Sequence, residues 1–464
     1  MSAGRNGSPR IVIIGAGPTG LAAGYRLQEV GHDDWVILEA NDYVGGLATS
    51  FTDEHGFTFD IGGHVMFSHY PYYDQLVDRL MGGEYTELQR EAWVWMEQRF
   101  VPYPFQNNLR DLEPSTVYDC VVGLLEAQRN AATSPPENFY QWVLATFGQG
   151  IADHFMLPYN FKVWATPPEL MNHIWIGERV SVVDILGVLR NVLLGEDQRS
   201  WGPNNTFKYP LKGGTGHLYH ELRKYVDHNL HLNTRVASVD PSAKEVVTTD
   251  GRRFPYDMLL STMPLNRLIG CMESVPDAVS DAVSGLHWSG SHIVGVGLDR
   301  PAETTKNWIY FPEPDVPFYR VTYLSNYSPY ITPEPDQTLF LTETSRSVHK
   351  PEPADDIVER VIAGLERTGL MQPGDRERIV TTWRCSPDQT YPVPSTTRDA
   401  SLGIIQPWLR EQGVWSRGRF GAWLYEIGNM DHSAMQGVEF VNHVLCGTPE
   451  TVWIPRGESA AQLV

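Results

Sequence analysis

The chain has 464 residues, 42% of them hydrophobic, and a formal charge of −20 from 36 basic against 56 acidic side chains. That length can bury large cores and holds two or three structural units. No apolar run reaches the length of a bilayer span, and a strongly acidic surface repels nucleic acid. Screening confines surface charge to about 8 Å at physiological salt, so a few arginines in a closed pocket still attract a small anion. The first ten residues lack the apolar core of a secretory signal. Cys120, Cys271, Cys385 and Cys446 lie far apart with no CxxC pair, which argues against a zinc site or a disulfide framework and fits a reducing cytoplasm.

Residues 10 to 40 predict strand, loop, helix, strand. Ile11-Val12-Ile13-Ile14 reads as a short buried strand, Leu21 to Val30 as a helix, and Trp35-Val36-Ile37-Leu38 as a second strand ending at Glu39. Between the first two lies Gly15-Ala16-Gly17-Pro18-Thr19-Gly20. Gly15, Gly17 and Gly20 would allow a tight turn, close approach of the backbone to a pyrophosphate, and tight packing of helix on strand. The helix N-terminus then faces the phosphates, and Glu39 accepts the hydroxyls of a ribose. The spacing of all these parts points to an adenine dinucleotide. A second pair, Gly45-Gly46, follows Glu39. FAD-dependent folds of the glutathione-reductase type carry such a pair and split their cofactor domain, so FAD is favoured over NAD.

Next comes Gly62-Gly63-His64, where glycines let the backbone approach a flat cofactor and a polar ring follows at once. From Tyr73 to Leu194 the spacing predicts helices interrupted by a loop at Val101 to Gln106. Strands are expected at Arg235 to Val239 and Met258 to Ser261, and an antiparallel sheet from His292 to Thr390 with a helix at Asp355 to Glu366. Ser433 to Leu445 reads as an amphipathic final helix. The organisation expected is α/β: a Rossmann-like FAD domain in three parts (1–72, 201–265, 401–464), an inserted helical substrate domain (73–200) and an antiparallel-sheet domain (266–400).

With these pieces in place the chain resembles the UDP-galactopyranose mutases, in particular the eukaryotic type, from Ile11 to Leu445. The strings IGGHVMFSHY, VPYPFQNN, PYNFKVWA, IGERV, PFYRVTYLSNYSP and GRFGAWLYEIGNMDHS carry the resemblance. It implies an isomerase in which reduced FAD attacks the anomeric carbon of the sugar through its N5 nitrogen, UDP leaves, and the sugar recloses as a furanose before UDP returns. The chemistry is covalent catalysis carried by the cofactor, with no net redox change.

The resemblance also implies site residues. Arg320 and Arg419 match positions that grip the diphosphate, and Arg179 a third arginine; guanidinium forks suit phosphate oxygens. Tyr310, Tyr327, Tyr391 and Tyr425 match tyrosines near phosphate and sugar. Asn160 and Trp164 share a helix face behind Pro158, and with Phe155, Tyr103 and Gln106 they match the surroundings of the uridine. Asn204 matches a loop position near the sugar. Asn429, at the start of the last helix, is matched to sugar or flavin. His64 is expected to support the reduced flavin near N5, which makes His64, Arg320 and Arg419 the catalytic set. The cofactor set is Gly15, Gly17, Pro18, Thr19, Gly20, Glu39, Gly46, Leu47, Gly63, His64, Val236, Gly418, Asn429, Met430 and Ser433, with no metal.

Three positions depart from the family pattern: Met430 replaces glutamine, Ala92 serine and Ser200 asparagine. They surround the flavin and a loop rather than the diphosphate grip, which leaves UDP-sugar binding intact and the choice of sugar open, so a mutase for another nucleotide sugar is one alternative. A flavin amine oxidase or desaturase is another, although the Gly-Gly-Arg usual in those enzymes is here Gly45-Gly46-Leu47. NADPH or NADH is the reductant that the resemblance implies, and assembly as a homo-oligomer is left open.

Overall fold

The computed structural model describes residues 8–130, 135–196, 202 and 205–454. At its centre is a five-stranded parallel sheet in the order Val414–Ser416, Met258–Ser261, Ile11–Ile14, Trp35–Leu38, Leu230–His231. Ile11 to Ile14 are almost wholly buried, as expected of a strand covered on both faces. The sheet gathers strands from three distant stretches of sequence. Helix Pro18–Glu29 follows the first strand and packs on the last helix, Met430–Cys446. Their contact is close: a Cβ on Gly437 would lie 2.1 Å from the Thr19 carbonyl oxygen, so a glycine is required there.

The second large sheet is antiparallel in its main run, Ile379–Cys385, Trp288–Leu298, Thr338–Arg346, Arg320–Tyr323, Trp308–Tyr310. It is extended by the hairpin Ala92–Met96 and Arg99–Pro102, the first strand of which runs parallel to Trp308–Tyr310. Pro71–Met81 is helical as expected, but the hairpin, with the strand Tyr85–Gln89 that pairs with Thr206–Pro210, corrects the helical expectation over 85–102. Ala92-Trp-Val-Trp-Met96 is rich in aromatic and β-branched residues that suit a pleated surface. Glu97 and Gln98 make its turn with φ of 51° and 57°, left-handed values usually signalled by Asn-Gly. Without that signal the hairpin was hidden.

From Pro114 onward the insertion is mainly helical. Pro114–Arg129, Phe139–Ile151, Leu157–Trp164 and Ile185–Leu194 enclose a core that includes Phe105, Phe147, Phe155 and Trp164. Among the described residues, no helix is long and apolar enough to cross a membrane. Cys120, Cys271, Cys385 and Cys446 are free thiols.

Candidate functional site

A cavity of about 940 Å³ runs from the first glycine loop, past Gly62-Gly63-His64, to the face of helix Leu157–Trp164. At the loop end, Gly15 has φ of 99° and packs on Thr262, whose Oγ1 would lie 2.2 Å from a Cβ there. Gly17 caps the helix with Pro18 in the first turn, and nothing lies within 4 Å of a Cβ built on it. Its bare backbone faces the cavity. Gly46 sits opposite, its own Cβ position 3.5 Å from Gly17 Cα, and the Gly45 amide donates to the Ala16 carbonyl at 2.8 Å, which locks the glycine pairs together. Glu39 accepts from the Ala16 amide at 2.7 Å and from both the backbone amide and the side-chain Nδ2 of Asn41 at 2.9 Å; a carboxylate has about four lone-pair sites, so it keeps capacity for one ribose hydroxyl.

Thr19, Leu47 and Val236 line this part of the cavity; Gly418, Asn429, Met430 and Ser433 line it where the last helix begins. Asn429 occupies the N-cap position without a side-chain cap bond, so its amide group is not committed to the helix. Gly20 does not line the cavity. Its Cβ would meet the Gly15 carbonyl oxygen at 1.9 Å, which makes it the glycine of helix packing and corrects its inclusion among cofactor contacts. The bare cradle, the helix N-terminus and the acid at the end of the second strand together fit an adenine dinucleotide.

His64 stands between the two halves. Its Nδ1 lies 3.2 Å from the Gly62 carbonyl oxygen. Burial, with Arg419 and Arg320 adding to it against Glu343, pulls its pKa down to about 4, so the ring is neutral at physiological pH. The Gly63 amide donates to Glu343 Oε1 at 3.0 Å. At the far end of the same segment, His69 donates from its amide and from Nδ1 to Asp431 Oδ2, at 3.1 and 2.7 Å. His432 Nδ1 lies 3.1 Å from the other oxygen of Asp431. Their donor atoms lie within 4.8 Å of one another, a spacing a metal ion tolerates, but here the imidazoles and the carboxylate bond to each other.

Arg320 and Glu343 face each other across adjacent antiparallel strands. Arg320 Nε donates to Glu343 Oε1 at 2.7 Å and Nη2 approaches the same oxygen at 2.6 Å; the Tyr319 hydroxyl donates to Oε2 at 2.6 Å. Burial alone would raise the Glu343 carboxyl, but Arg320, Tyr319 and the Gly63 amide outweigh it and hold it below its usual range. The other two arginines are held differently. Arg179 Nη2 donates to the Glu426 carbonyl at 2.5 Å. Arg419 donates to the Thr390 and Gly428 carbonyls, both at 3.0 Å, and lies over the Tyr391 ring at 4.8 Å. Carbonyl oxygens orient these guanidiniums without cancelling their charge.

Tyr310, Tyr391 and Tyr425 line the cavity beside them, and burial raises the pKa of Tyr310 and Tyr391, so these phenols remain hydrogen-bond donors. Tyr327 is not among the lining residues. It is 1% exposed and packed on Phe207 and Tyr209, and its hydroxyl has no partner among the described residues. Asn204, together with Ser200, lies outside the described residues.

Tyr103, Gln106, Phe155, Asn160 and Trp164 all reach the remote end. Gln106 Nε2 donates to the Ser181 carbonyl at 2.6 Å, while its buried Oε1 has no partner, an acceptor left for a ligand. Phe155 stacks on Tyr159 at 5.1 Å between centroids, and Trp164 stands edge-on to Tyr425 at 4.7 Å. Tyr159, Tyr319 and Glu343 line the cavity too and went unread in the sequence. For Glu343 a signal existed: an acid inside the otherwise uncharged run Thr338-Leu-Phe-Leu-Thr-Glu343-Thr-Ser demands a buried cation.

Residues 18–421 match the family described as flavin containing amine oxidoreductase, and the chain belongs to that family of flavoproteins. The crystal structure of a reduced UDP-galactopyranose mutase is similar throughout, with a TM-score of 0.94, 41% identity and coverage of 97% of either chain. The resemblance read from the strings therefore holds across the whole fold. A fatty acid isomerase from P. acnes shares the fold alone, at a TM-score of 0.64 and 16% identity over 96% of this chain and 100% of that one. Among curated relatives, polyamine oxidase 7 of Oryza sativa subsp. japonica is 58% identical over 40 residues, 9% of this chain and 8% of its own. The L-amino acid oxidase of Cerastes cerastes is 23% identical over 261 residues, 52% and 46%. The chain thus spans less than half the length of these curated relatives.

Proposed function

We propose that the protein is a flavin-dependent mutase that interconverts the pyranose and furanose forms of a nucleotide sugar, with UDP-galactopyranose and UDP-galactofuranose as the pair. The observation that carries this reading is the state of Arg179 and Arg419: both are held by backbone carbonyls, so the cavity keeps positive charge for a dianionic diphosphate. An apolar or amine-binding tunnel has no use for two such cations.

Gly15, Gly17, Glu39, Gly46 and Gly418 would hold FAD, with Val236, Asn429, Met430 and Ser433 beside it. Reduced FAD, when bound, supplies a nucleophile for the anomeric carbon, with UDP as the leaving group. The protein does the rest. Arg179 and Arg419 bind the departing diphosphate and stabilise the charge that develops on it, with phenol donors from Tyr310, Tyr391 and Tyr425. Arg320, neutralised by Glu343, orients the near side of the sugar diphosphate. Gln106 and Asn160 meet the edge of the uracil, and Tyr103, Phe155 and Trp164 exclude water around it. Neutral His64 offers its free ring nitrogen near the flavin without adding a charge, and NADPH or NADH supplies the electrons that prepare the cofactor.

The test is incubation of dithionite-reduced protein with a panel of UDP- and GDP-pyranoses, followed by separation of the sugar products. A furanose from UDP-galactopyranose, with none from the GDP sugars, is the expected result. Oxygen consumption with amines and no furanose from any sugar would replace the mutase by an oxidase.

A further inference from the structure

Both carbonyl-bound arginines rest on one short turn. Tyr425–Ile427 is a single 3-10 turn ending at Gly428. Its successive carbonyls accept from Arg179 at Glu426, from Gln436 at Ile427 (2.9 Å) and from Arg419 at Gly428. The residue whose carbonyl holds Arg179 is itself an acid. That acid sits on the residue whose carbonyl meets Arg179 and two residues before the one whose carbonyl meets Arg419, and a carboxylate paired with either guanidinium would cancel the charge needed by an anionic ligand.

The carboxylate goes elsewhere. Both its oxygens accept a two-pronged pair from Arg398, Nη1 to Oε2 at 2.9 Å and Nη2 to Oε1 at 3.0 Å. Arg398 starts helix Arg398–Glu411, its side chain is 0% exposed, and its Nε donates to Asp399 at 2.8 Å. A parallel fork of this kind fixes direction as well as distance. Arg398 does not line the cavity, so it touches no substrate.

We propose that Arg398 is a positioning residue that draws the Glu426 carboxylate away from Arg179 and Arg419 and so keeps both free for the diphosphate. The inference rests on the reading of those two arginines as the diphosphate site. It differs from a purely structural brace in one respect: the damage done by losing Arg398 comes from the released negative charge, and removing that charge repairs it.

The experiment measures UDP dissociation constants on the oxidised holoenzyme by titration calorimetry, for wild type, Arg398→Met, Glu426→Gln and the double variant, with FAD content and melting temperature recorded for each. Arg398→Met weakens UDP about tenfold or more, the scale of one lost charge-assisted bond. Glu426→Gln added to it restores affinity to near the wild-type value. Should Arg398→Met fail to fold, Arg398→Lys serves, because one ammonium cannot hold both oxygens: it shows a smaller loss, again relieved by Glu426→Gln. Unchanged UDP affinity in the Arg398 variants overturns the proposal, and so does a double variant as weak as the single one. Wild-type protein that binds UDP no better than Arg419→Ala sinks the diphosphate reading itself, a failure distinct from either.

Discussion

Arg320 and Glu343 sit opposite each other in adjacent strands, and the Glu343 oxygen that receives Arg320 also receives the amide of Gly63. One carboxylate therefore fixes an arginine of the substrate cavity and the residue before His64. An arginine that lines the cavity and the Gly62-Gly63-His64 loop share an anchor.

The two kinds of arginine should respond differently to removal. Arg320→Ala leaves a buried carboxylate unpaired, which costs about 3–5 kcal/mol of stability, and it abolishes turnover. Arg419→Ala removes a cation held by two carbonyls and the rings of Tyr391 and Tyr425 but by no counter-charge, so UDP affinity falls by about 1.5–3 kcal/mol with a much smaller change in melting temperature. Calorimetric titration with UDP beside thermal unfolding separates them. Equal stability losses would mean that Arg419 is structural.

His64 carries a pH signature. Its folded pKa of about 4 lies below the ordinary value of 6.5, so the neutral ring contributes stability that is fully present above pH 6.5 and is lost as the pH falls towards 4. Replacing it by glutamine should flatten the stability profile in that window, as read by urea unfolding at a series of pH values. His64→Ala should retain UDP binding and lose most isomerisation. Full activity in that variant would reduce the histidine to a turn residue.

The glycines of the first loop divide by what a methyl group meets. At Gly17 it enters the space given to FAD, so Gly17→Ala should fold, melt close to the wild-type apoprotein, and purify colourless. At Gly20 it collides with the Gly15 carbonyl, so Gly20→Ala should lower expression and stability even without cofactor. Absorbance near 450 nm and the apoprotein melting temperature distinguish the two outcomes; a yellow Gly17→Ala protein would contradict the assigned cradle.

Tyr327 is the one cavity tyrosine read from the sequence that stands behind the wall of the cavity and not in it. Its buried hydroxyl lacks a partner, and such a group carries a desolvation cost of about 1–3 kcal/mol. Tyr327→Phe should therefore leave stability equal or slightly higher and UDP affinity unchanged. A several-fold weaker UDP constant would return Tyr327 to the substrate site.

Much of this protein is legible in the chain itself. Ile11 to Glu39 declares its strand, turn, helix and second strand because a nucleotide loop is a local structure, set by residues a few positions apart. The pairing of Asn160 with Trp164 is local in the same way, since helical spacing brings them to one face. Long distinctive strings carried the family resemblance and, with it, the arginines and tyrosines of the cavity.

What the tertiary structure decided is how each of those groups is partnered. The hairpin at 92–102 is not legible in the chain because its left-handed turn is built from Glu97 and Gln98, which carry no turn signature. Glu343, 23 residues from Arg320 in sequence, becomes its counter-ion only through strand register. Arg179 and Arg419 keep their charge because carbonyls of one turn hold them while Arg398 takes the nearby acid. Residue type alone determines which groups are able to ionise; the fold decides which charges are cancelled and which remain for a ligand, because electrostatic strength depends on burial and on neighbours that only folding brings together.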